Sequence, residues 1–567
     1  MSSSALAAFQ NGNFGLAEEL FRAELEKTDE PAVTLANLAV LYRLTGRLEE
    51  AERTIRKALA VESENRGDDS LEAASCQATL GEILVTAGRY KEADRMLSQA
   101  LMAYRGHRDP SGLATCLSNL ASLRLCEREF KQARELFKEA LTLRMEVYGE
   151  DHPEVATVKN NLAGLHEQLG AYDLAHQLYN EAVACWREHD QPSHVATGLN
   201  NLAELCRKQG RLGQARELLG QALEMHRQRS GDEHPSVGTC YNNLAELHRL
   251  EGNFEQAEVL FRRALGIDRR CYGDEHPEVA TDLNNLAELY RVMGRLEMAE
   301  RLYLRSLVIR EKVLQPYHPD LAVTLNNLAM LYLAQGRYHQ AEPLYVRSFR
   351  LWEESLGERH PDVALSLNNL AALYLASGRL EEARGLCRRA LAIQQESLDE
   401  GHPSLATTLN NLGESERGLG NLEDARSALQ QALDIRRRHF GEDHPDVATS
   451  LNNLAGLDQQ AGQLEAAERG FQQALEIWRE RLGPTHPRTA TVRVNLGTLA
   501  LERGQTEVAE ELISAAVSTL TESLGAHHPE VVRARTNLAT VLRHLGKDKE
   551  AQLLDNETRR PEPDLEF

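Results

Sequence analysis

The sequence has no apolar run near the ~20 residues that a membrane-spanning helix needs. Its first residues, Met-Ser-Ser-Ser-Ala-Leu-Ala-Ala-Phe-Gln, lack the basic stretch and the apolar core of a secretory leader. Cysteine is scarce, 8 in 567 residues, and no two stand in Cys-x-x-Cys spacing. Scattered over helical pattern, these cysteines read as reduced packing residues, which excludes a disulfide framework and points to the cytoplasm. Positive charge is in deficit: 64 Lys and Arg against 86 Asp and Glu, a net charge of -22. Without a basic stripe there is nothing to neutralise phosphates, so nucleic acid is not an expected partner. Walker loop, dinucleotide fingerprint, nucleophile elbow and zinc spacing are all missing. No block outside the repeats is large enough for a catalytic domain. No enzyme activity, cofactor or metal is expected.

What the chain has is a repeat. Leu-Asn-Asn-Leu-Ala (283–287) recurs along almost the whole length. Asn243, Asn285, Asn327, Asn369, Asn411 and Asn453 mark its second Asn, each 42 residues from the last. Earlier, the same slot holds Asn37, Thr79, Asn119, Asn161 and Asn201, where two steps shorten to 40. A period of this size means stacked supersecondary units, not one globular core. Both shortenings fall between units, near 107–112 and 188–194, where loops absorb deletions that helices would not.

On a helix at ~100° per residue, Leu283, Leu286, Ala287, Leu289 and Tyr290 gather on one side. Thr281, Asn284, Asn285, Glu288, Arg291 and Val292 gather on the other. That is an amphipathic helix, closed by Gly294. A second periodic run follows (Leu296, Ala299, Leu302, Tyr303, Leu307), so each unit is a helical hairpin. The second helix keeps Ala at one slot, as in Ala257, Ala299 and Ala341, and a small residue seven on, as in Ala264, Ser306 and Ser348. Small side chains let two helix axes approach closely.

Most units open on His-Pro with an acid or small residue next, as in His276-Pro277-Glu278 and His360-Pro361-Asp362. Pro fits the first helical position and the acid favours the helix N-terminus. The histidines therefore read as helix-start grammar, one repeat apart and too far from each other to share a metal. Two departures carry expectations. Arg128 fills the turn slot that the other units give to Gly, which predicts an irregularity over 126–131. Glu416 and Asp458 stand where Tyr290, Tyr332 and Tyr374 stand earlier, which predicts looser packing there.

The spacing Leu-Ala-x-x-Tyr, then Gly, Ala, Tyr or Phe, and Ala resembles the tetratricopeptide repeat. The 42-residue length and the run Gly-Asp-Glu-His-Pro-Glu-Val-Ala-Thr-Asp-Leu-Asn-Asn-Leu-Ala (273–287) resemble the kinesin light chain type, over roughly residues 31–551. The resemblance implies an all-α fold, a right-handed superhelical solenoid of antiparallel helix pairs. The expected division is a partial N-terminal capping repeat at 1–30, a solenoid of about thirteen repeats at 31–553, and a disordered, acidic, Pro-containing tail at 554–567. It also implies a non-enzymatic scaffold or adaptor that holds a peptide segment or partner domain in its concave groove, in the narrowest version a cargo or cytoskeleton adaptor. The coiled coil through which that family binds its motor would precede the repeats. About thirty residues stand there, so motor binding is not carried over. Two other uses stay open: a regulatory subunit that inhibits or positions an enzyme, and a self-associating structural protein, hence a homo-oligomer.

Asn inside a helix costs several tenths of a kcal/mol against Ala, so the repeated pairs need a reason. They lie away from the apolar face, the side that lines the concave surface in tetratricopeptide proteins. A carboxamide both donates and accepts, so it can grip an extended backbone without reading its sequence. By this resemblance, and by the similar ladder of the O-linked N-acetylglucosamine transferase superhelix, the groove residues are Asn161, Asn201, Asn243, Asn284, Asn285, Asn326, Asn327, Asn368, Asn369, Asn410, Asn411 and Asn453. The competing reading is that one Asn of each pair bonds the neighbouring repeat and sets the pitch. Specificity is expected from what varies beside them. Glu246/Arg249, Glu288/Arg291 and Glu414/Arg417 are i,i+3 pairs able to neutralise each other. Between them Met330, Leu333, Ala372 and Leu375 form an apolar window, of the kind that marks an interaction site. Its alternative occupants are the chain's own tail or a second copy.

Overall fold

A computed structural model describes residues 3–10, 12–28, 31–398, 401–526 and 528–558. These form 28 helices in fourteen consecutive pairs, with no strand among the described residues. Pair 1 is α1 (Ser3–Gln10) with α2 (Phe14–Leu25), and pair 2 is α3 (Pro31–Leu44) with α4 (Leu48–Arg66). The last, pair 14, is α27 (Pro529–His544) with α28 (Asp548–Thr558). Helix thus continues past 553. The expected disordered tail otherwise lies, from 559 on, outside the described residues.

Pair 8, α15 (Pro277–Val292) with α16 (Leu296–Val313), shows how the sequence builds a unit. His276 is itself the N-cap: its Nδ1 accepts the Glu278 N–H at 3.0 Å, with Pro277 in the first helical position. The helix ends where the Arg295 N–H reaches back to the Tyr290 carbonyl at 2.8 Å, a reversal that needs Gly294 at φ 75°. Ala299 and Ser306 are fully buried, and the Ser306 hydroxyl donates to the Ala280 carbonyl of α15 at 2.7 Å. Tyr303 fills the space between them with no exposed surface, its hydroxyl on Glu288 at 2.8 Å. Burying each such Leu or aromatic side chain contributes about 1.5–3 kcal/mol.

The pairs stack into a right-handed superhelical solenoid. First helices of neighbouring pairs touch, α3 with α5 (Leu71–Thr86) and α17 (Pro319–Ala334) with α19 (Pro361–Ala376), which places them on the inside of the curve. Six pairs complete a turn, and successive turns are in contact. His318, which opens pair 9, reaches the Thr86 carbonyl in pair 3 at 2.9 Å, and His402, opening pair 11, reaches the Gln168 carbonyl in pair 5 at 2.9 Å. Contact beyond nearest neighbours is an addition to ordinary solenoid stacking.

Three expectations are corrected. The turn at 126–131 is regular: Arg128 adopts the left-handed conformation itself, at φ 54°, between α7 (Pro110–Cys126) and α8 (Phe130–Tyr148). Packing at Glu416 and Asp458 is not loose. The tyrosine of this slot donates to a glutamate of the preceding pair, Tyr332 to Glu300 at 2.8 Å and Tyr374 to Glu342 at 2.9 Å. Where the slot turns acidic the glutamate's place turns basic, Arg384 to Glu416 at 3.8 Å, with Arg388 adding a contact at 3.1 Å, and Arg426 to Asp458 at 2.5 Å. Finally, the polar side of α15 is not wholly open: Asn284 is 8% exposed, its Oδ1 taking the Asn327 N–H of the next pair.

Candidate functional site: the concave face

The paired carboxamides form a ladder between repeats. The second Asn of one pair donates to the first Asn of the pair before it: Asn201 to Asn160 at 3.0 Å, Asn327 to Asn284 at 3.2 Å, Asn369 to Asn326 at 2.7 Å, and Asn453 to Asn410 at 2.6 Å. Asn411 instead reaches the Asn368 backbone carbonyl at 3.4 Å, and Asn161 accepts from Asn160 at 3.4 Å. Asn284 and Asn368 are buried under the next pair, so the expectation that they meet a ligand is corrected.

The ladder opens at Asn243 and Asn285. Asn200 Oδ1 accepts from the Cys240 thiol at 3.6 Å instead, while Asn242 donates its amide N–H to Asp282 at 2.5 Å and its Oδ1 is left buried without a partner. Among the described residues, the half-buried carboxamides of Asn243 and Asn285 make no intramolecular hydrogen bond. In pair 8 the group that Asn242 reaches is Asp282. Its slot holds Thr324, Thr408 and Ser450 in other pairs, each bonded to a side chain of the preceding second helix: Arg310 at 2.6 Å, Gln394 at 2.6 Å and Arg436 at 2.7 Å. In pair 8 that partner is Asp268, so two buried carboxyls face each other. Burial, then the neighbouring carboxylates, holds both well above the usual carboxylate range. Asp268 Oδ1 and Asp282 Oδ2 are buried without a hydrogen-bond partner, and the two carboxyls titrate as a pair.

The expected specificity pairs are closed ion pairs, Glu246–Arg249, Glu288–Arg291 and Glu414–Arg417, each at 2.6 Å. Burial works against the Glu288 carboxylate, but the Arg291 bond outweighs it and holds the group below its ordinary value. Met330, Leu333, Ala372 and Leu375 are half-buried. The apolar stretch is wider than expected: on the same stripe Val323 is 39% and Leu365 51% exposed, in the slot that Thr281 and Thr407 fill in flanking pairs. That change from Thr was legible in the sequence. A cavity of about 710 Å³ adjoins this face. One wall is Arg207, Arg249, Arg291 and Val292; the other is Phe440, Leu482 and Leu524 from loops one turn on.

The histidines do more than start helices. Those at 276, 318, 360 and 402 each bond a backbone carbonyl six pairs away. Among the described residues, no group of three or more His, Cys, Asp or Glu is placed to hold a metal, and no helix is long and apolar enough to cross a membrane. The cysteines are free thiols.

Comparison with known proteins agrees with this architecture. The tetratricopeptide repeat family profile matches nine segments, from 30–106 through 278–354 to 446–519, overlapping from residue 250 on. The Arabidopsis thaliana protein kinesin light chain-related 3 is 26% identical over 190 residues, 33% of this chain and 29% of that protein. The rat mitochondrial tetratricopeptide repeat protein 19 is 28% identical over 134 residues, 24% of this chain and 36% of that protein. The chain thus spans about a third of the curated relatives it matches. A crystal structure of a Podospora anserina kinesin light chain-like protein with nearly identical repeats shares 27% identity at TM-score 0.32, covering 36% of this chain and 98% of that one.

Proposed function

The chain belongs to the tetratricopeptide repeat family, whose members generally mediate protein–protein interaction, and from that premise we propose a non-enzymatic scaffold or adaptor that holds an extended partner segment along the concave face of pairs 7 to 10. The observation that carries this is the break in the ladder. The second carboxamides of pair 6 and of pairs 9 to 13 spend a donor on the neighbouring repeat; Asn243 and Asn285 keep a full complement of donors and acceptors, half-exposed and one repeat apart. Such groups suit the N–H and C=O groups of an extended main chain. The adjoining ion pairs are already neutralised, and the Val323, Met330 and Leu365 stretch supplies an apolar continuation. The likeness to kinesin light chain-related proteins supports a cargo or cytoskeleton adaptor as the narrowest version.

The test compares two double variants. N243A/N285A removes the unengaged carboxamides and should weaken capture of bound proteins from native lysate about ten-fold, the scale of one or two lost hydrogen bonds, at unchanged melting temperature. N327A/N369A removes ladder bonds and should lower the melting temperature. Partners retained at full strength by N243A/N285A would end this reading.

A further inference from the structure

The hairpin turns fall into two classes. From Gly12 to Gly294, every turn glycine has the His-Pro loop of a later turn against it, so that an added Cβ would meet a ring or a proline within 4 Å. From Gly336 to Gly546, every turn glycine has nothing within 4 Å. Fourteen pairs with six to a turn give this division: pairs 1 to 8 have a pair six places later, and pairs 9 to 14 do not.

The clasp has defined chemistry. In each loop the histidine Nδ1 accepts a backbone N–H two residues on, as at His276, His318 and His360. An amide only donates, so the ring proton sits on Nε2. Nε2 then donates across the turn to a carbonyl at the end of a first helix: Leu44 at 3.2 Å, Thr86 at 2.9 Å, Cys126 at 3.3 Å. These carbonyls are among those a helix terminus leaves without an internal partner. Apolar contacts back the clasp. Leu48 and Ala87 are buried with Leu314 from the next turn, and Phe14 stacks on Tyr272 at 5.5 Å. At the glycine-less turn, Arg128 reaches Asp362 at 3.1 Å.

We infer that the solenoid is a latched coil, its turns held shut by one histidine clasp per repeat, and that release of this latch governs entry to the cavity between the ends of first helices in pairs 6 to 8 and the loops of pairs 12 to 14. The latch itself stands on the contacts above. Its use in admitting a partner segment rests on the concave-face binding just proposed. On release the apolar clusters that span the seam part, Phe254 from Leu524 and Leu48 from Leu314, while neighbouring pairs keep their own helix–helix contacts.

Two independent perturbations test it on the full chain. H276N/H318N/H486N keeps an N-cap acceptor at each loop but is too short to reach across the turn; H152N makes the same change where no earlier turn is clasped. G46A places a methyl 2.7 Å from the Pro277 ring and 2.8 Å from His276, whereas G336A meets nothing within 4 Å at nearly the same backbone angle, φ +70° against +69°. X-ray scattering should show the triple variant and G46A longer than the parent by about 10 Å or more, one helix-packing distance, with helix content by circular dichroism unchanged. Oxidation of Met293, beside the Gly294 turn, should speed up several-fold with hydrogen peroxide as the probe. H152N and G336A should match the parent in both. The latch is overturned if the triple variant and G46A keep the parent's dimensions, or if the controls lengthen equally. Neither readout needs a partner, so failure here leaves the carboxamide reading standing, and failure of that reading leaves the latch.

Discussion

Asp282 differs from its counterparts Thr324, Thr408 and Ser450 by a charge, and that difference propagates. It accepts the Asn242 amide N–H, and the Asn242 Oδ1 is left buried and unpartnered, out of the ladder bond to Asn285. Facing Asp268 in a buried joint, it has a raised affinity for the proton. A carboxyl whose folded-state affinity is raised stabilises the fold fully below its unfolded value, ordinarily near 4, and loses that contribution as pH rises through the folded value. D282N should therefore stabilise the chain more at pH 8 than at pH 5, by about 1–3 kcal/mol, the scale of a hydrogen bond to a charged group. Melting followed across that range would refute the raised proton affinity if the gain were equal at both ends. At this scale the sequence was only half legible. The Asn pairs, the Glu/Arg pairs and the change from Tyr to Glu416 were visible as letters, but not their partners. Arg388 sits 28 residues before Glu416, in another helix, and only the stacked pairs bring the two within 3.1 Å.

At the scale of the element, legibility was high, because hairpin grammar is local. Apolar spacing, His-Pro starts and Gly turns fall within one 42-residue unit, and each acts on residues a few positions away. Arg128 was misjudged because a Cβ makes the left-handed conformation costly without forbidding it. The turn keeps its form, and the side chain gains Asp362. α18 (Tyr338–Leu356) carries the opposite kind of departure, Pro343 on its exposed side inside the helix. Proline has no N–H to give the His339 carbonyl, and its ring crowds the preceding turn. P343A should stabilise α18 by about 1–3 kcal/mol, somewhat less than the full helix-interior penalty because the site is close to the N-terminus. Slower hydrogen exchange over residues 338–348 would register the gain; unchanged exchange would mean that the first turn is held by its neighbours alone.

The whole molecule is where sequence reading ran out. The rotation between one pair and the next is small, and six such rotations decide whether loop His276 meets the Leu44 carbonyl or passes it. No single unit encodes that sum, which is why the histidines were legible as helix starts and not as a seam. The seam also gives the coil a pH dependence. Burial lowers His276, His360 and His486 from the ordinary histidine value to about 4, against the favourable pull of the Leu44, Cys126 and Leu250 carbonyls. Protonation would place a second ring proton on Nδ1, where each loop needs an acceptor. An opened turn exposes these rings and returns them towards about 6.5. The closed coil therefore binds fewer protons than the open one. Its stability is complete above about 6.5 and is lost as pH falls towards 4, by on the order of 3 kcal/mol for each of the three rings. The coil should thus lengthen in X-ray scattering between pH 6.5 and 4 while helix content persists. H276N/H318N/H486N, already released, should show a smaller change over the same interval. A parent chain that holds its length down to pH 4, or loses helix in step with lengthening, would place the acid response in the repeats themselves and not in the seam.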